Sequence, residues 1–224
     1  MTVLAFDCAV SGLGVAVVRD GVRLGGLSEG GRDQAARLLP AIESVLADAA
    51  IDRRALTLIA VTIGPGSFTG VRVGLAAARG LAVGLAVPLA GITTTAVLLA
   101  QAASRDKLVI AAIDSRLGDW FCAFGEGDAA PFVTSARDLA VRIAGRPCRV
   151  VGIGATALAD DLLAAGIDAI VEEAVPDPVA LARLAGDVGV DAWRARNAQE
   201  GLPRPLYLRG VNITTPDGVR RTVE

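Results

Sequence analysis

At 224 residues the chain is long enough to bury a full core, as one large domain or two small ones. A net charge of −2, a pI near 5.3 and arginines that cluster only modestly near the end (Arg204, Arg209, Arg220, Arg221) exclude a protein that grips nucleic acid through a basic stripe of its own. The sequence holds no histidine, which excludes a Ser-His-Asp triad, a Cys-His dyad and an HExxH zinc site together.

The mean hydropathy of +0.53 comes largely from Ala, Val and Leu. The most membrane-like window, Val73 to Ile92, contains Arg79, Gly74, Gly80, Gly84 and Pro88, and reads better as a buried helix followed by a strand. The start has no basic n-region and Asp7 interrupts its apolar run, so a cytoplasmic chain is expected. Cys8, Cys122 and Cys148 lack ligand spacing and fit reduced thiols, with Cys8 and Cys122 packing in a core.

In chain order, Val3–Asp7 reads as a buried strand ending in a carboxylate, followed by strands over 15–18 and 22–27. Asp20-Gly21 marks the hairpin between the last two. Gln34–Ala50 has helical spacing, with Asp33 as its expected cap and Pro40 as an expected kink or start. A strand over 58–63 leads into Gly64-Pro65-Gly66-Ser67-Phe68-Thr69-Gly70-Val71-Arg72-Val73-Gly74, then a helix over Val71–Leu85. A short strand at 89–92 and a helix over 93–103 close this part. Leu108–Asp114, a polar turn and Trp120–Phe124 then repeat the strand–Asp–hairpin theme about 107 positions on, predicting two similar halves, 1–103 and 104–224. Further helices are expected at 136–144, 157–165 and 178–195, and strands at 149–152 and 169–171. Residues 203–209 read as extended, and the polar residues after Gly210 as loose.

The glycine-rich stretch needs a reason, because glycine is costly inside helices and strands. Ser67 and Thr69 are cap-forming types, and an open helix start at Thr69 and Gly70 would suit an anion. No lysine stands where a Walker A loop needs one, and no acid follows at dinucleotide-fold spacing. In a two-half nucleotide fold, phosphate would meet the turns after Asp7 and Asp114. These read Asp7-Cys8-Ala9 and Asp114-Ser115-Arg116, where side chains replace the glycine that lets phosphate approach. Asp7, Ser67, Thr69, Gly70 and Asp114 form the candidate anion-facing set. Gly70-x3-Gly74 and Gly80-x3-Gly84 would let another helix come close.

These residues resemble the TsaB (YeaZ) family of the ASKHA (actin/hexokinase/Hsp70-like) superfamily. The match is specific at Gly64–Gly74. Leu4–Asp7, Leu39–Ile42, Ala112–Asp119 and Pro205–Arg209 support it, so that it spans residues 4 to 209. Two positions depart from it: Arg32-Asp33-Gln34 replaces a helix start that often carries His, and Trp120-Phe121 replaces Val-Tyr. The resemblance implies an α/β fold of two similar mixed-sheet halves flanked by helices. It also implies a non-catalytic scaffold subunit in N6-threonylcarbamoyladenosine synthesis at tRNA position 37. Its implied partners are a TsaD-like catalytic paralogue and a TsaE-like ATPase, with a homodimer when alone, tRNA reached only through the complex, and no membrane. No cofactor is expected to be intrinsic, and the interface of the complex is left open as a site for ATP. Association would use the first half's helices, giving Leu38, Leu39, Ile42, Val71, Val73, Gly74, Ala77, Ala78, Gly80 and Leu81 as candidate partner-binding residues. A free-standing ASKHA-fold ATPase or small-molecule kinase is the alternative. A metallopeptidase is disfavoured by the missing histidines.

Overall fold

The computed structural model describes residues 1–10, 12–31, 33–102, 107–209, 211–214 and 220–223. The expected boundary between 103 and 104 falls outside them. The chain opens as a β-meander: β1 (Thr2–Asp7), β2 (Leu13–Arg19) and β3 (Val22–Glu29) run antiparallel, with Asp7 opposite Gly14. The turn between β2 and β3 is Asp20-Gly21, both at positive φ as such a hairpin requires. After α1 (Gln34–Asp48), β4 (Leu58–Thr62) lies parallel to β1. Next come α2 (Phe68–Leu85), β5 (Leu89–Ile92) and α3 (Thr94–Gln101).

The second round repeats the first. β6 (Leu108–Asp114), β7 (Trp120–Phe124) and β8 (Phe132–Thr134) form the second meander. They are followed by α4 (Ala136–Ile143), β9 (Cys148–Ile153), α5 (Ala155–Ala164), β10 (Ala169–Glu173) and α6 (Pro178–Val188). The sheets order as β3-β2-β1-β4-β5 and β8-β7-β6-β9-β10, so each strand of the second occupies the place of the strand five earlier. The two-half, ASKHA-type α/β architecture is therefore explicit in the topology.

β1 and β4 are buried on both faces, as expected of strands with helices on each side. Alternation sends Leu4, Phe6, Ile59 and Val61 toward α1 and α2, and Val3, Ala5, Leu58 and Ala60 toward α6. The helices that follow β5 and β10 are exchanged: α3 packs on β6, β7 and β9, whereas α6 packs on β1 and β2. The sheets are thereby tied together through two helices rather than by a linker alone.

Several elements differ from expectation. α1 starts at Gln34 and continues through Pro40 as one element rather than starting near it, and Asp33 holds the cap position without a side-chain bond. α2 begins three residues earlier than its apolar pattern, because the Ser67 hydroxyl accepts the Gly70 N–H and sets the start at Phe68. The expected helix over 178–195 is two: Gly189, at φ +89°, ends α6, and α7 (Val190–Glu200) follows. Trp193 of α7 folds back, its indole N–H donating to the Ala185 carbonyl at 2.9 Å. β8 carries too short a pattern to stand out in the sequence. Residues after Gly210 were expected to be loose; the described ones instead pair as an antiparallel ladder, β11 (Val211–Thr214) with β12 (Arg220–Val223).

The segment after α7 belts the first half. The Arg79 guanidinium donates to the Pro203 carbonyl, and the Leu206 N–H donates to the Ile63 carbonyl at 2.8 Å. α2 alone among the described helices is long and apolar enough to cross a membrane; in this fold Val71, Gly74, Leu75, Ala78 and Ala82 of it are buried against the first sheet.

Candidate functional site in the cleft between the halves

The glycine-rich loop connects β4 to α2 and closes over the end of β1. The Ser67 N–H donates to the Ala9 carbonyl at 2.5 Å. A Cβ on Gly66 would stand 2.0 Å from that same oxygen, and one on Gly70 would stand 1.9 Å from the Cys8 carbonyl oxygen. Two of the loop's glycines thus answer to the backbone of Cys8 and Ala9 rather than to a phosphate. At the start of α2, the N–H groups of Ser67 and Gly70 are bound within the chain.

Asp7 lies beneath this clasp. Its carboxylate, 4% exposed, accepts the Thr62 hydroxyl and, at 3.1 Å, the Ala9 N–H. Burial outweighs both bonds and pushes its pKa up to about 6. The neighbouring Cys8 thiol is pushed up to about 12 by burial and by the Asp7 charge, and burial raises Cys122 to about 12, so both stay protonated near neutrality. The three thiols are buried and free, which fits the core role expected of Cys8 and Cys122.

Asp114 occupies the matching place in the second half and behaves differently. It is exposed, and its Oδ1 accepts the Arg116 N–H at 2.7 Å. Asp114 lines a cleft of about 520 Å³ between the sheets, together with Ser67, Thr69, Gln34, Arg116 and Gly154. Of the anion-facing set read from the sequence, the fold brings Ser67, Thr69 and Asp114 together on that cleft. Asp7 and Gly70 are buried behind it. On the far wall the Glu173 carboxylate caps α5, accepting Gly154 N–H at 3.2 Å, Thr156 N–H at 2.8 Å and the Thr156 hydroxyl at 2.9 Å. Among the described residues no three His, Cys, Asp or Glu side chains gather into a metal-holding group.

The candidate partner-binding set divides by helix face. Leu38, Ile42, Val71, Gly74 and Ala78 are buried in the core of this chain. Val73, Ala77 and Leu81 are half-buried, whereas Leu39 and Gly80 are exposed. The outer face of α2 also carries Gly84, already read as part of the small-residue pattern, and Ala76 and Val83 (71% exposed), which the candidate partner-binding set leaves out. Stepping three or four positions from Arg72 would have found them, because that series has no large apolar side chain until Val83.

With this geometry in hand, comparison with known proteins is specific. The family model described as TsaD, tRNA N6-adenosine threonylcarbamoyltransferase, matches residues 28–183. The chain is 36% identical over 126 residues to the tRNA threonylcarbamoyladenosine biosynthesis protein TsaB of Escherichia coli K12, covering 55% of this chain and 54% of that protein. It is 34% identical over 119 residues to TsaB of Bacillus subtilis 168, covering 53% and 52% respectively. The chain spans about half the length of these curated relatives. In structure it is similar to YeaZ from Pseudomonas aeruginosa, with a TM-score of 0.70, 27% identity, and coverage of 92% of this chain and 99% of that one. A ROK hexokinase from Thermus thermophilus, with a TM-score of 0.50, 14% identity, and coverage of 84% of this chain and 100% of that one, shares the fold alone. The family-model match over more than half the chain, the TsaB relatives and the YeaZ-like structure agree: this chain belongs to the TsaB/YeaZ family.

Proposed function

We propose that the chain is a non-catalytic subunit of the assembly that makes N6-threonylcarbamoyladenosine at tRNA position 37, docking a TsaD-like catalytic paralogue. The observation that carries this reading is the outer face of α2. Ala76, Gly80, Val83 and Gly84 stand exposed on an 18-residue helix whose opposite face is core. Such a surface offers a partner helix a close approach, and close approach is what small residues permit. Leu39 is 52% exposed on α1, which packs against α2.

Chemistry points the same way. A chain without histidine supplies neither the usual general base nor the usual imidazole metal ligand. The helix starts facing the cleft are already engaged within the chain: Ser67 caps α2 and Glu173 caps α5, and on the wall Asp114 sets a negative charge beside the positive charge of Arg116. This counts against the free-standing ATPase or kinase. In the same reading, ATP belongs at the interface of the complex, a TsaE-like ATPase joins it, tRNA is reached through the catalytic partner, and the isolated chain pairs with itself through the same α2 face.

Reconstitution tests the proposal directly. tRNA modification by the TsaD-like paralogue with its other subunits is measured with and without this chain, and the mixture is sized by light scattering. Modification that requires the chain, with a heterodimer in solution, is the expected result. Full modification without it, or ATP turnover by the pure chain that is lost in Asp114→Ala, defeats the reading.

A further inference from the structure

We propose that the groove where the glycine-rich loop meets residues 206–209 docks an extended acidic segment of a partner protein, with a large apolar side chain in the groove and carboxylates on its rim. The groove measures about 360 Å³ and is walled by Phe68 and Val71 of α2, Leu117 of the β6–β7 turn, and Leu206, Tyr207 and Arg209. Three of its side chains are exposed large apolar groups: Leu117 at 72%, Phe68 at 46% and Tyr207 at 42%. Scattered apolar exposure is ordinary, but a concave cluster of it marks a binding surface.

The walls are fixed. The Leu206 N–H donates to the Ile63 carbonyl, and Phe68 and Tyr207 pack with ring centroids 5.7 Å apart. Arg209 pairs with Asp119, whose carboxylate also takes the Ser115 hydroxyl.

Charge selects the occupant. The Arg72 guanidinium lies 3.3 Å from the Phe68 ring centroid and 5.4 Å from that of Tyr207. Arg72 makes no ion pair among the described residues, nor does Arg116 on the adjoining cleft wall. Of the nearby carboxylates, Asp119 is held by Arg209, and Asp114 lies on the cleft side with its Oδ1 on the Arg116 N–H. A preoriented guanidinium beside an apolar slot therefore lacks an anion, and its planar fork suits a carboxylate. Arg72 heads the series that continues through Ala76 and Gly80, so the groove adjoins the outer face of α2, whereas Leu117, Leu206 and Tyr207 belong to the groove alone.

The test is fluorescence polarisation with two panels of ten-residue peptides. In one, Asp and Glu flank a central Leu or Phe; in the other, Lys replaces each acid. Members of the acidic panel are expected to bind, and to lose at least about tenfold in affinity with either Arg72→Gln or Leu117→Ser, a loss typical of a removed charge contact or apolar anchor. Both sites are exposed, and an unchanged melting temperature verifies the fold. Gly80→Leu, which alters the outer face of α2, should leave peptide binding intact. Equal binding of the Lys panel, binding by no acidic peptide, indifference to both groove variants, or preferential binding of a single-stranded RNA decamer overturns the proposal.

Discussion

Gly70 sits directly over the carbonyl of Cys8, with the first turn of α2 pressed against the end of β1. A Cβ at position 70 would lie 1.9 Å from the Cys8 oxygen, and both partners are backbone, so neither can swing aside. Gly80 is the opposite case: nothing stands within 4 Å of a Cβ there. Gly70→Ala is therefore expected to cost roughly 3–5 kcal/mol or to prevent folding, as overpacking against fixed backbone does. Gly80→Ala should stabilise the isolated chain by about 0.5–1 kcal/mol through helix propensity. Urea denaturation of the two variants beside the parent measures both signs, and equal effects would contradict the clasp.

Asp7 supplies a pH signature. Its folded pKa of about 6 lies above the model-peptide value of 3.8, because burial disfavours the charged carboxylate more than Thr62 and Ala9 support it. The folded state therefore binds the proton more tightly than the unfolded chain. This contribution to stability is complete below about pH 4, falls as pH rises to about 6, and is gone above that, a swing of roughly 3 kcal/mol. Asp7→Asn removes the titration. Relative to the parent it should be about 2–3 kcal/mol more stable at pH 7.5 than it is at pH 4. Denaturant midpoints at the two pH values check this, and a difference that does not change with pH would show that Asp7 is not the group responsible.

Asp7 also shows where sequence reading reaches and where it stops. The strand ending in Asp, its repeat at Asp114, and the two-half fold were all legible, because period and apolar runs are local properties. That Asp7 would be sealed and Asp114 open depends on the loop from β4 folding over one and not the other, which no local pattern carries. The glycine loop was legible as a strand-to-helix corner, while its use as a clasp depends on the backbone of Cys8 and Ala9, some sixty residues earlier in the chain. Helix faces fared similarly. Spacing located α1 and α2, but Leu38, Ile42, Val71, Gly74 and Ala78 face this chain's own sheet because burial, not composition, decides the face. The groove joins two stretches, Gly64–Gly74 and Pro205–Arg209, that read as separate motifs until the belt after α7 brings them together.

That belt begins with an edge-strand contact. The side chain of Asn197 on α7 accepts the Leu89 N–H at 2.7 Å and donates to the Leu89 carbonyl at 3.0 Å, standing in for a further strand beside β5. Leu89 is fully buried, so Asn197→Ala leaves two backbone groups unpaired away from water. A loss of about 2–3 kcal/mol is expected, together with faster amide exchange at Leu89. Unchanged exchange would mean that another group covers the edge.

The cap on α5 makes a second test of a long-range contact. Glu173 reaches from the end of β10 to the N–H groups of Gly154 and Thr156 at the head of α5, whose own cap residue, Gly154, has no side chain. Glu173→Ala should cost about 1–2 kcal/mol, the usual range for losing a helix cap. Glu173→Gln keeps an acceptor for one N–H and should recover part of that loss. Melting temperatures rank the three proteins, and a Gln variant no better than Ala would place the benefit in charge rather than in hydrogen bonding.

The proposed association through α2 is separable from folding by choosing between two of its glycines. Gly74 faces inward, where a Cβ would meet Val61 at 3.4 Å and Cys8 at 3.6 Å, so Gly74→Leu attacks the core. Loss of association in that variant would carry no information about a partner. Gly80 faces outward into open space, and Leu there adds bulk to the outer face without touching the fold. If a partner helix packs closely along Ala76, Gly80, Val83 and Gly84, Gly80→Leu should weaken both self-association and binding of the TsaD-like chain by at least about tenfold, with no loss in melting temperature. Sedimentation equilibrium and titration calorimetry, read beside that melt, decide the matter. Normal association by a Gly80→Leu protein would remove α2 from the interface, leaving the exposed part of α1 around Leu39 to carry it.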